Sequence, residues 1–77
     1  MGKTPEDIAA ELTPPQRVLL FCVASGTDWG RFGIQSATVQ LAILRDFVER
    51  DPTDETRLVV TGRGRAVLAA LLARGKQ

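Results

Sequence analysis

The chain has no histidine and no tyrosine, which removes the commonest general base, the commonest metal ligand and one of the usual proton donors together. Its single cysteine, Cys22, excludes an intrachain disulfide. Because that residue lies inside the apolar run Val18 to Ala24, it reads as a small buried hydrophobe. Neither sign of charge is in excess: ten Lys and Arg face nine Asp and Glu, for a net charge of +1. DNA binding draws much of its affinity from neutralised phosphates, so the average charge lends that function little support and the distribution of charge matters more. Long apolar runs are missing too. The longest, Val18 to Ala24, falls far short of the roughly 20 residues that a membrane-spanning helix needs, and no basic stretch precedes it as in a signal peptide. A cytoplasmic protein with no membrane partner is the expectation.

Catalysis is not expected either. No paired carboxylates stand in an apolar setting, and Thr61-Gly62-Arg63-Gly64-Arg65 lacks the lysine and the spacing of a P-loop. Those glycines are better explained as a helix entry. No catalytic residue, metal site or cofactor is expected.

What is present is an ordinary globular composition, 44% apolar and 25% charged, in 77 residues that allow one core and one domain. Thr4-Pro5-Glu6-Asp7 places a hydroxyl cap, an N1 proline and first-turn acids at the head of a helix to about Leu12. Thr13-Pro14-Pro15-Gln16 repeats the signal as a capping box, and that helix runs to Ser25 before Gly26. Its apolar run leaves no polar face, so it is expected at the centre of the core, covered on most sides. Gly26 to Gly33 holds three glycines and reads as a turn with at most one helical turn over Asp28 to Phe32, Trp29 and Phe32 tucking inward. Ser36 is then expected to cap a helix carrying Val39, Ile43 and Phe47 on one line, with Leu44 and Val48 beside it. Either it continues to Arg50, or it ends near Asp46 and Phe47 to Arg50 forms a strand. The turn formers from Asp51 to Thr56, followed by Leu58-Val59-Val60, favour the strand and a hairpin. Thr61 caps a last helix with the stripe Val67, Leu68, Leu71 and Leu72, closed by Arg74 and Gly75. The fold class is therefore mainly α with a small β-hairpin: helices about 5–12, 14–25, 28–32, 36–46 and 62–74, strands about 47–50 and 57–60.

Two stretches carry a family resemblance. Gly33-Ile34-Gln35-Ser36-Ala37-Thr38-Val39 resembles the turn and opening of a bacterial recognition helix. Phe47-Val48-Glu49-Arg50, Asp51-Pro52-Thr53-Asp54, Arg57, Leu58-Val59-Val60 and Thr61-Gly62-Arg63-Gly64-Arg65-Ala66-Val67-Leu68 together resemble the wing and following helix of MarR-like regulators. The order of these pieces along the chain, from Gly33 to Leu72, is more specific than any one of them. Against the pattern, Asp46 stands where a glycine usually precedes the first wing strand, and the strand after the loop is short, which points to a stunted wing. The first helix of the motif is squeezed into Thr27 to Phe32.

The resemblance implies a compact winged helix-turn-helix domain that reads duplex DNA, as a small transcriptional regulator or an accessory factor of a mobile element. The N-terminal turns of the recognition helix would enter the major groove, offering Gln35, Ser36, Thr38 and Gln40 to base edges. Arg31, Arg45, Arg50 and Arg57 would meet phosphates. Leu41 lies close to the side of Gln40 and suits a partner better than a groove. A homodimer is expected, since one recognition helix reads only a few base pairs, with Val67, Leu68, Leu71 and Leu72 as the seam. The competing reading is a protein-interaction module, an adaptor or inhibitor on the same scaffold, which the near-neutral charge favours.

Overall fold

The computed structural model describes residues 2–74. Among these, the chain forms four α-helices and one two-stranded antiparallel hairpin: α1 (Pro5–Glu11), α2 (Pro14–Ser25), a 3-10 turn (Trp29–Phe32), α3 (Ser36–Leu44), β1 (Val48–Asp51), β2 (Asp54–Val60) and α4 (Gly62–Arg74). Helix starts follow local chemistry. Thr4 Oγ1 accepts from the Asp7 amide at 3.2 Å while the Thr4 amide donates back to the Asp7 carboxylate. Thr13 and Gln16 exchange the same pair of bonds, so both threonines close full capping boxes.

Helix ends follow one rule with two different residues. After α2, Gly26 takes φ 74°, its amide donates to Val23 O and that of Thr27 to Cys22 O. After α3, Asp46 takes φ 63°, with its amide on Ile43 O and that of Phe47 on Ala42 O. Both are Schellman closures, which need a left-handed residue just past the helix. Asp46 thus occupies, with an aspartate, the conformation that glycine adopts freely.

The hairpin pairs Val48 with Val60, Glu49 with Val59 and Arg50 with Leu58, then slips so that Asp51 meets Asp54. The slip lets β2 start at Asp54, so the strand is seven residues long and longer than expected. The hairpin is not stunted.

The core joins every helix to the hairpin: Ile8, Ala9 and Leu12 from α1, Leu19 and Leu20 from α2, Val39 and Ala42 from α3, then Phe47 and Val48, and Val67, Ala70 and Leu71 from α4. Cys22 is buried, as expected of a structural thiol. Helix α4 approaches the start of β1 through Gly64, where an added Cβ would lie 2.0 Å from Phe47 O and 2.8 Å from Val60 Cγ1. Thr61 fastens the same corner. Its amide donates to Phe47 O at 3.0 Å, its hydroxyl donates to Asp46 O, and its Oγ1 accepts from the Gly64 amide as the helix cap.

Several expectations need correction. Helix α2 is central as expected, packed against β2, α3, the 3-10 turn and α4, but one side stays open, where Phe21 is 40% exposed and Ala24 faces outward. Phe32 is 59% exposed and not tucked in, whereas Trp29 packs partly on the core. The short 3-10 turn buries none of its residues, so only one of the two rings finds cover. Gln35, and not Ser36, is the N-cap of α3, and it makes no side-chain cap bond. The helix ends at Leu44 because the closure at Asp46 turns the chain. The proposed closing residue Gly75 lies outside the described residues. No described helix is long and apolar enough to cross a membrane.

Candidate nucleic-acid interface

Helix α3 has an inner and an outer face set by its own period. Val39 and Ala42 are buried and Thr38 and Ile43 are half-buried, while Ser36, Ala37, Gln40 and Leu44 face out. Of the four residues expected to read bases, Gln35, Ser36 and Gln40 are therefore exposed together on the first two turns. Ser36 and Gln40 lie one above the other at i and i+4. Thr38 is turned partly toward the core and is the poorest placed of the four. Gln35 and Ser36 side chains make no hydrogen bond to the helix start, which leaves their donors and acceptors for a ligand. Leu41 is half-buried, so its apolar side chain is partly accounted for by the fold. Leu44, 82% exposed, takes its place as the unexplained aliphatic group on this face, a residue the sequence had assigned to packing.

The arginines come from different elements. Arg31 sits on the 3-10 turn ahead of α3 and Arg45 at the C-cap of α3. Arg45 borders a hollow with Lys3, Glu11 and Arg63, beside α1 and Phe47. In that hollow Lys3 is paired to Glu11 at 2.6 Å, and Arg63 stacks over the Phe47 ring at 5.8 Å. Arg50 and Arg57 are both on the hairpin and exposed. Among the described residues none of these four expected phosphate contacts has a carboxylate partner.

The hairpin surface is mixed in charge. Glu49, Asp51, Asp54 and Glu55 accompany the two arginines. Arg50 donates to Glu55 O at 3.2 Å, which holds its guanidinium along the hairpin. The turn is braced by two repeats of one device: the amide and hydroxyl of Thr53 donate to Asp51 Oδ1, and those of Thr56 to Asp54 Oδ1. These bonds favour the charged carboxylates. The Thr53 bonds hold Asp51 below the ordinary carboxylate range, as the Thr56 bonds do for Asp54, and Arg57 acts in the same direction on both.

The expected dimer seam divides. Val67 is fully enclosed and Leu71 nearly so, so both belong to the core of a single chain and are removed from any seam. Leu68 packs partly against that core. Leu72, 53% exposed, remains available, flanked on the outer face of α4 by Ala69 and Ala73. The reason lies in α1: it packs along α4 and covers the side of the stripe that a partner would have needed. Sequence reasoning missed Arg65, which the fold brings beside Arg57 at one groove; no spacing in the sequence signals that meeting.

No protein family, curated protein or solved structure matches this chain.

Proposed function

We propose that the protein binds duplex DNA as a small winged helix-turn-helix regulator or accessory factor, with α3 as the recognition helix and the β1–β2 hairpin as the wing. The observation that carries this reading is the outer face of α3. Its first two turns present Gln35, Ser36 and Gln40 to solvent with no side-chain partner among the described residues, immediately after the 3-10 turn bearing Arg31 and before a hairpin bearing Arg50 and Arg57. A helix offering amides and a hydroxyl at its N-terminal end suits base edges in the major groove, and guanidiniums free of carboxylates suit phosphates. Gln40, as an amide, can pair with adenine through two bonds.

In this reading the protein acts as a homodimer, and the outward strip of α4 around Leu72 is the contact. The test is selection of duplexes from a random library at low salt. A preferred site should emerge, with affinity that falls steeply as salt rises. Gln40→Ala should then cost about 1–3 kcal/mol on that site and little on random DNA. Absence of binding to every duplex at low salt overturns the proposal.

One observation favours the alternative, a protein-interaction module. The hairpin carries four carboxylates to two arginines, and Leu44 and Phe32 are large exposed apolar side chains. A surface of that kind repels phosphates at the wing and offers apolar anchors to a protein.

A further inference from the structure

Beside β2 runs a groove that none of the proposed DNA contacts except Arg57 borders. Two adjoining hollows of about 440 and 250 Å³ make it up, sharing Val23, Gly26, Arg57 and Leu58. Five consecutive residues of β2, from Thr56 to Val60, line it. A groove over the face of a strand would meet alternate residues, so consecutive lining marks the strand's edge. The opposite wall is the end of α2 and the turn that follows.

The register says which backbone groups point into this groove. Thr61 donates to Phe47 O, and Val48 faces Val60, Glu49 faces Val59 and Arg50 faces Leu58. Bonded and non-bonded pairs alternate in an antiparallel ladder, so Glu49 and Val59 form the next bonded pair. Leu58 and Val60 then direct their N–H and C=O groups away from β1, toward the groove. Among the described residues neither has another hydrogen-bond partner. The edge is therefore an open template for a further strand.

The chemistry of the rim and floor specifies what kind of strand. Val23, Leu58, Val60 and Leu68 supply half-buried apolar surface. Arg57 and Arg65 stand on the rim, and neither has a carboxylate partner among the described residues. At the far end Asp28 is already engaged by the Gly30 amide at 2.9 Å. We infer that the β2 edge is a docking site for an extended acidic peptide of a partner protein, which adds a strand through Leu58 and Val60, seats alternate apolar side chains on the floor and places carboxylates against Arg57 and Arg65. Strand addition gives affinity through main-chain bonds and specificity through alternate side chains. The site is separate from the reading face of α3 and its test needs no nucleic acid.

The test is amide hydrogen exchange on the full chain, with and without a blocked peptide of alternating glutamate and valine. Without peptide, Val59 is protected by its bonds to Glu49, while Leu58 and Val60 exchange fast. With peptide, Leu58 and Val60 should slow by about tenfold or more while Val59 is unchanged. The double substitution Arg57→Glu with Arg65→Glu should weaken peptide binding by about tenfold or more and leave thermal stability near that of the parent, because both side chains are exposed. A peptide of alternating lysine and valine should not bind. Unchanged exchange at Leu58 and Val60 in millimolar acidic peptide overturns the proposal, as does equal binding of the lysine peptide. Protection of both amides that grows with protein concentration alone would assign the edge to a second copy of the chain and overturn it equally.

Discussion

Replacing Gly64 with alanine would put a methyl carbon 2.0 Å from Phe47 O and 2.8 Å from Val60 Cγ1. Ordinary contact begins near 3.4 Å, so the overlap with the carbonyl is about 1.4 Å. Neither side gives easily. Phe47 O is the acceptor of the Thr61 amide and Asp46 O that of the Thr61 hydroxyl, while the backbone of Gly64 is tied to the same threonine. Relief requires α4 to draw back from β1. That loses the Thr61 cap, worth about 1 kcal/mol, and one backbone bond worth about 1 kcal/mol. It also opens a gap at Val67, where a shift of about 0.5–1 Å forfeits a quarter to a half of the dispersion contact. Against this stands the helix preference of alanine over glycine, at most about 1 kcal/mol. With the lost contact at Val67 valued at about 1–2 kcal/mol, the net loss is about 2–3 kcal/mol, a large share of the roughly 4–12 kcal/mol expected for a chain of this length. At about 4–8 °C per kcal/mol the midpoint should fall by about 8–24 °C. Gly62→Ala is the control, since nothing lies within 4 Å of its Cβ position and its φ is not left-handed. Thermal and denaturant melts followed by circular dichroism decide the matter. Equal midpoints for the two variants would refute the close approach of α4 to β1.

Asp46→Gly should raise stability by about 0.5–1 kcal/mol, because the residue sits at φ 63° where glycine is unstrained; the same melts read it, and a lower midpoint would mean that the aspartate side chain matters more than its backbone. Asp51 and Asp54 have folded pKa values below the unfolded value of about 3.9. Their bonds to Thr53 and Thr56 should therefore brace the hairpin fully above about pH 4, and this bracing should fade only as pH falls below that value through the lowered ones. Carboxyl and amide chemical shifts through a titration from pH 6 to pH 2 would follow it, and loss of the Thr53 and Thr56 amide shifts already at pH 5 would contradict it. Leu71→Ala should cost about 2–5 kcal/mol without altering the mass in solution, whereas Leu72→Glu should leave the fold intact and turn a dimer into a monomer. Light scattering beside circular dichroism separates them, and a parent protein with the mass of one chain at high concentration would remove the dimer.

Much of the fold was legible in the residues because its punctuation is local. Thr4-Pro5 and Thr13-Pro14-Pro15-Gln16 act within one helical turn, and the structure places α1 and α2 where those signals begin. Turn formers between Asp51 and Thr56 likewise set a hairpin and Thr61 a helix start. Other features depend on contacts between distant residues, and these only the tertiary structure decided. Asp46 looked like a departure from a glycine pattern, yet the chain keeps the left-handed turn and seats the aspartate in it, since the Schellman bonds and Phe47 on the core hold it there. Which half of the α4 stripe is core depended on α1 lying along it. The slip in the hairpin lengthened β2, and the meeting of Arg57 with Arg65 required α4 to return beside β2. Sequence period alone marked which residues of α3 share a face, but burial of Val39 and Ala42 by the rest of the core determined that Ser36 and Gln40 are the ones left to solvent.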